Sequence, residues 1–136
     1  MISSFEQAEN EIRSYLNTQW VPLHPGIPIS YPNVAFVPVQ GQSWIRLVVL
    51  YTTTSQADLA DVKKWRTLGI ASVNIFTPIS IGTKLPNQLT DDIFDMFVGI
   101  NLNGIQFRAP TPTVIGPNEG MYQVNVRTEF YFDLHR

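Results

Sequence analysis

The sequence predicts one α+β domain, in which an antiparallel or mixed sheet of about five strands carries two main helices. A chain of 136 residues has the length of one domain. Two stretches place apolar residues at helical spacing, and several short apolar runs between proline- and glycine-rich segments have the character of strands. We find no internal repeat and no second domain.

The two helices are predicted over residues 4–17 and residues 84–101. The first begins with Ser4 and Gln7, which have the spacing of a capping box. The second has the clearest apolar pattern in the chain. Its stripe consists of Leu85, Leu89, Ile93, Met96, Phe97 and Ile100.

The strands are predicted over residues 29–39, 44–53, 70–76, 105–107 and 121–134. Pro32 and Pro38 indicate that the first strand is an edge strand or contains a bulge, because proline donates no ladder hydrogen bond. The second is apolar on both faces, which predicts a central strand covered on each side. The last strand alternates, so that one face meets the core and the other, with Tyr131, points outward. Residues 109–120 are predicted to form an extended, proline-stiffened loop.

Residues 54–68 are predicted to form a long, exposed hairpin connection, with one or two helical turns between Ala57 and Trp65. This segment carries a local basic patch with an aromatic residue: Lys63, Lys64, Trp65 and Arg66. Two interpretations stay open for it. The charges keep a loop in solution, or they contact an acidic partner surface or passing nucleic acid.

The composition excludes several classes of function. The net charge is −2 without a basic block, which argues against general nucleic-acid binding. There are no cysteines, no phosphate-binding glycine motif and no apolar run long enough to span a membrane. His24 and His135 lack a second ligand at metal-binding spacing. We therefore expect no cofactor or metal; a small-ligand enzyme or binding module on an α+β scaffold stays as an alternative. The N-terminus has no signal-peptide pattern, which predicts folding in a cytoplasm.

Charged residues make up only 15% of the chain, which favours a subunit that assembles. Phe94 and Val98 lie off the apolar stripe of the second helix, so they belong either to a wider core or to an exposed strip used in self-association. Asp91, Asp92 and Asp95 form either a solvated helix face or a group of acids or metal ligands. The candidate subunit interface consists of Phe94, Val98, Asp91, Asp95 and Tyr131.

Several pieces of the sequence, in this order and spacing, resemble the tail terminator (tail-completion) proteins of long-tailed bacteriophages. The resemblance extends from about Phe5 to Phe132. Its pieces are residues 32–36 (PNVAF), 44–47 (WIRL), 66–69 (RTLG), 76–78 (FTP), Gly82, residues 92–97 (DIFDMF), 104–107 (GIQF) and the aromatic C-terminal strand.

The resemblance implies a structural virion protein that is not an enzyme. Such subunits form a hexameric ring on the head-proximal end of the tail tube, stop tube polymerisation and present a surface for the DNA-filled head. The implied partners are further copies of the chain, the tail-tube protein and a head-completion or neck protein. DNA contacts the ring only as it passes through the lumen. Residues 63–66 would face either this lumen or the tail tube. Another neck or minor tail protein is the alternative.

Overall fold

The computed structural model describes residues 1–58 and 63–136. Within them the chain forms two helices and a seven-stranded mixed sheet, which confirms the α+β class with more strands than predicted. The elements are α1 (Phe5–Leu23), β1 (Ile29–Ser30), β2 (Trp44–Gln56), β3 (Lys64–Pro78), α2 (Lys84–Phe97), β4 (Asn101–Leu102), β5 (Ile105–Phe107), β6 (Thr111–Asn118) and β7 (Met121–His135).

The sheet is built on β3 and β7, which pair antiparallel along all of their length, from Lys64 opposite His135 to Pro78 opposite Met121. Strand β2 pairs antiparallel with the other side of β3, and the short β1 lies parallel to β2. On its far side β7 pairs with β5 and, further along, with β6. The strand order is β1-β2-β3-β7-β5-β4.

Both helices pack on one face of this sheet, which we call the helix face. Alternate residues of β3 and β7 supply the sheet side of the core, including Val73, Ile75, Val126 and Phe130. The helices supply Ala8, Ile12, Leu16 and Trp20 from α1, and Leu89, Ile93, Met96 and Phe97 from α2. In the described part of the chain no helix covers the opposite side, which we call the open face.

Helix α1 begins as predicted, because the Ser4 side chain accepts a hydrogen bond from the Gln7 amide at 3.0 Å. It is longer than predicted and passes through Pro22. Trp20 is fully buried, and its Nε1 donates to the Ile27 carbonyl at 2.9 Å. Burying this indole outweighs the hydrogen bond that a proline in the last turn cannot make.

Three predictions about the strands are wrong. The first strand is limited to Ile29–Ser30, because Pro32 cannot donate and Asn33 adopts a left-handed backbone with φ of 52°. The segment predicted as a loop forms β6 over Thr111–Asn118, where its prolines are tolerated at an edge. Strand β2 is not covered on both faces along its length, because on the open face Phe36 packs on Trp44 but Arg46 and Leu50 stay exposed. Its outer neighbour β1 pairs with only Ile45 and Arg46.

The connection predicted over residues 54–68 is a β-hairpin. Its arms pair from Thr54 opposite Thr67 to Gln56 opposite Trp65, and the Ala57 amide donates to the Lys64 carbonyl at 2.6 Å. The prediction of helical turns between Ala57 and Trp65 is wrong for the described residues, because Ala57, Asp58 and Lys63 have no regular structure and Lys64 and Trp65 belong to β3. Residues 59–62 of that prediction lie outside the described residues. Neither helix in the described part of the chain is both long and apolar enough to cross a membrane.

Candidate assembly surfaces

The outward surface of α2 carries four of the five predicted interface residues. Asp91 and Asp95 are exposed, Phe94 is half-buried, and Val98 ends the helix with 41% of its surface exposed. Phe94 and Val98 are therefore not part of the fully buried core. Together with Asp91 and Asp95 they form a small apolar strip beside two carboxylates, which we call the α2 surface.

The third carboxylate of this helix has a different role. Asp92 Oδ2 lies 2.5 Å from His24 Nε2, at the end of α1. This contact joins the C-terminus of α1 to α2, beside a second link in which the Tyr15 hydroxyl donates to the Met96 carbonyl at 2.6 Å. The sequence did not indicate this contact, because His24 and Asp92 are 68 residues apart in the chain. Asp92 therefore supports the fold.

The middle of the open face is a ladder of uncharged polar side chains. The Asn125 amide donates to Ser72 Oγ at 2.6 Å and to Asn74 Oδ1 at 2.9 Å. Gln123 donates to the same Asn74 oxygen at 3.0 Å and accepts from Asn118 at 2.8 Å. These bonds satisfy the polar side chains on a face of the sheet that neither described helix covers.

An apolar patch lies next to this ladder on the open face. The strand registers place Val48 beside Ser72, Leu50 beside Ile70, and Leu68 beside Tyr131. Leu50 has 53% of its surface exposed, and the other aliphatic side chains are half-buried. We call Val48, Leu50, Leu68 and Ile70 the open-face patch.

Charged and aromatic side chains surround Tyr131 at one side of this patch. The Arg66 guanidinium lies 4.6 Å from the centre of the Tyr131 ring, and the Arg108 guanidinium lies 5.9 Å from it. Arg66 also donates to both carboxylate oxygens of Asp133, and Lys64 Nζ lies 3.6 Å from the same carboxylate. The hydrogen bond from Arg66 is the main reason that the pKa of Asp133 lies below its ordinary value.

The predicted basic loop is mostly strand. Lys63 lies outside β3, whereas Lys64, Trp65 and Arg66 are its first three residues. Trp65 is half-buried, and its Nε1 donates to the Arg136 carbonyl at 3.2 Å. Lys64 and Arg66 are held at Asp133 on the open face, so they belong with the groups around Tyr131 and not with a free loop tip.

A cleft of about 480 Å³ lies at the far end of the open face. On its floor Trp44 stacks on Phe76 with ring centres 4.1 Å apart, and the Arg46 guanidinium lies 5.0 Å from the Trp44 ring. Turns at residues 38–41 and 118–121 form its walls. Among the described residues, no group of three histidine or acidic side chains is placed to hold a metal ion.

The five predicted interface residues therefore do not form one site. Phe94, Val98 and their aspartates lie in the helix layer, whereas Tyr131 lies on the open face of the sheet. The fold is a two-layer α+β domain with surfaces on each layer that its own core does not use.

The family comparison shows the class of protein. A family profile described as "Phage tail terminator protein" matches residues 9–130. The chain therefore belongs to the phage tail terminator family, whose members are structural components of phage tails.

No curated protein matches the sequence. A solved structure has the same fold, with a TM-score of 0.65 and 17% sequence identity. The match covers 94% of this chain and 97% of that one.

Proposed function

We propose that this protein terminates the tail of a long-tailed bacteriophage. Copies of the chain assemble into a ring, with six subunits expected, on the head-proximal end of the tail tube. The ring stops tube polymerisation and presents the surface on which the DNA-filled head docks. Its partners are further copies of itself, the tail-tube protein and a head-completion or neck protein, and DNA only passes through the lumen.

Membership of the tail terminator family over residues 9–130 carries this proposal. The two surfaces support it, because a subunit that joins neighbours in a ring needs contact areas beyond its own core. The α2 surface and the open-face patch both expose apolar side chains next to charged ones. Such a mixture is typical of protein interfaces, which combine an apolar centre with a polar rim.

Tail length tests the proposal. In cells infected with a phage that lacks this gene, electron microscopy should show tails of abnormal length, because nothing stops tube growth. Supplying the gene on a plasmid should restore the uniform length. Tails of normal length in the deletion would contradict a terminating role.

Another neck component or a minor tail protein is the alternative, and location in the virion separates the two. Antibody labelling should place the protein at the head-proximal tip of tubes, including tubes that have not joined a head. Label beside the portal of tail-free heads would instead identify a head-side neck component.

A further inference from the structure

The two exposed surfaces lie on different sides of the molecule. The α2 surface is in the helix layer, whereas the open-face patch and Tyr131 lie on the opposite side of the sheet. A two-fold dimer needs one patch that fits itself, whereas a ring needs two different patches that fit each other. Two different surfaces on separate layers are what the second case requires.

The two layers also carry opposite charge. Helices α1 and α2 contain six carboxylates against Arg13 and Lys84, a net charge of −4. The strand residues that point to the open face include four basic side chains against Glu129 and Asp133, a net charge of +2. The four are Arg46, Lys64, Arg66 and Arg127. Arg108 lies between the two surfaces, since its guanidinium is 5.9 Å from the centre of the Tyr131 ring and its carbonyl accepts a hydrogen bond from the Gly99 amide, next to Val98, at 3.3 Å. Opposite potentials of this kind orient two partners and disfavour the wrong pairing.

Both surfaces expose apolar side chains. Phe94 and Val98 lie on α2 beside the aspartates, and the open-face patch exposes Leu50. The row of Leu50 continues through Ile70 to Glu129, and the basic groups lie in the neighbouring rows. Tyr131, with Arg66 and Arg108 against its ring, belongs to the residue types that most often dominate interface energies.

From these observations we propose that neighbouring copies join head to tail, with the α2 surface of one copy seated on the open-face patch of the next. Phe94 and Val98 cover the patch, and Asp91 and Asp95 meet Arg108 and Arg127. This inference rests on the proposed ring. Nucleic acid fits the open face less well, because phosphates would meet Glu129 and Asp133 and would leave the patch uncovered.

Charge reversal tests the pairing of the two surfaces. One variant carries Asp91→Arg and Asp95→Arg on the helix side, and a second carries Arg108→Glu and Arg127→Glu on the sheet side. Each variant alone brings like charges together at every interface. Ring yield, counted by native mass spectrometry and by negative-stain images of tube ends, should fall at least about tenfold for each. Glu6→Arg, an exposed reversal on α1, is the matched control and should leave the yield unchanged.

Two further experiments distinguish charge repulsion at this interface from misfolding of the variants. An equimolar mixture of the two variants should form rings again, because subunits can alternate so that every interface pairs opposite charges. A chain with all four substitutions should also form rings by itself. Circular dichroism spectra and thermal midpoints equal to those of the wild type establish that each monomer is folded.

Several outcomes would overturn the inference. If either charge-reversal variant forms normal rings by itself, or if the mixture forms no rings, the two surfaces do not meet. The proposed function would still stand if the wild-type protein forms rings at tube ends. Loss of DNA binding in the sheet-side variant, with assembly unchanged, would make the open face a nucleic-acid surface. Wild-type protein that forms no ring, free or on tubes, would contradict the proposed function itself.

Discussion

Arg66 and Asp133 face each other across β3 and β7 and form a two-pronged ion pair. Arg66 Nε lies 2.9 Å from Asp133 Oδ1, and Arg66 Nη2 lies 3.1 Å from Oδ2. The ion pair links the N-terminal part of β3 to the C-terminal part of β7, and it holds the Arg66 guanidinium against the Tyr131 ring. A bidentate pair of this type fixes geometry as well as adding energy.

Replacing Asp133 by asparagine should therefore lower the free energy of unfolding by about 1 kcal/mol at pH 7. Arg66 is partly exposed, so solvent limits the loss. The pKa of Asp133 is lowered in the folded protein, mainly by the Arg66 hydrogen bond. Its stabilising effect is therefore present above the unfolded pKa of about 3.9 and is lost as the pH falls through the lowered value.

Urea denaturation of wild type and Asp133→Asn at pH 7, 4 and 3 measures this effect. The difference between the two proteins should shrink as the pH falls. A difference that is constant over this range would show that the carboxylate charge is not what stabilises the pair.

Gly69 is needed because two parts of the sheet approach its α-carbon closely. A β-carbon at this position would lie 2.5 Å from Cζ of Phe130 and 2.6 Å from the Leu50 carbonyl oxygen. Gly69→Ala should therefore cost about 1–3 kcal/mol of stability, since the backbone oxygen cannot move away cheaply. Gly26→Ala is the matched control, because nothing lies within 4 Å of a β-carbon there. Thermal unfolding followed by circular dichroism compares the two, and equal midpoints would contradict this account.

The aspartates of α2 should differ in their contribution to stability, because Asp92 contacts His24 whereas Asp91 is exposed. Asp92→Asn weakens the link to His24 and should cost about 0.5–1 kcal/mol at pH 7. Asp91→Asn, one residue away on the exposed side, should leave stability within about 0.5 kcal/mol of the wild type. Denaturant titration of the dilute proteins distinguishes them, and an equal loss in both would show that the His24 contact is not what matters.

Apolar periodicity was enough to predict the class of fold and the presence of both helices and the long strands, but not all of their bounds. Helix α1 extends beyond the predicted residue 17 to Leu23, α2 ends at Phe97 and not at residue 101, and β3 begins at Lys64 and not at residue 70. The periodicity identified the apolar stripe of α2 and the alternation of β7, because burial on one side leaves a repeating pattern in the sequence. Apolar periodicity failed where the structure of a segment depends on which strand lies beside it. Strand β6 forms because β7 offers its edge to it, and β2 looked central because its open-face side chains are apolar.

The surfaces were only partly predictable for the same reason. Phe94 and Val98 were recognisable as residues outside the apolar stripe of one helix. That Tyr131 lies on the other side of the sheet, beside Arg66 and Arg108, depends on long-range pairing. The contact between His24 and Asp92 left no sequence signal at all.

Val98→Asp should weaken self-association without unfolding the subunit. Its side chain is 41% exposed at the end of α2, so a carboxylate there stays hydrated in the monomer and loses its hydration only in an interface. Ring formation should fall at least about tenfold, while the thermal midpoint of the monomer changes little. Val21→Asp on α1, at 45% exposure, is the control and should assemble normally. A monomer unfolded by Val98→Asp would show that the side chain belongs to the core.

Addition of purified protein to growing tail tubes of the same phage tests termination most directly. Tube length is followed by electron microscopy after mixing the tube protein with and without an excess of this chain. We predict that rings cover one end of each tube and that growth from that end stops. Tubes that continue to lengthen at both ends, with no protein bound at a tip, would contradict the assignment as a tail terminator.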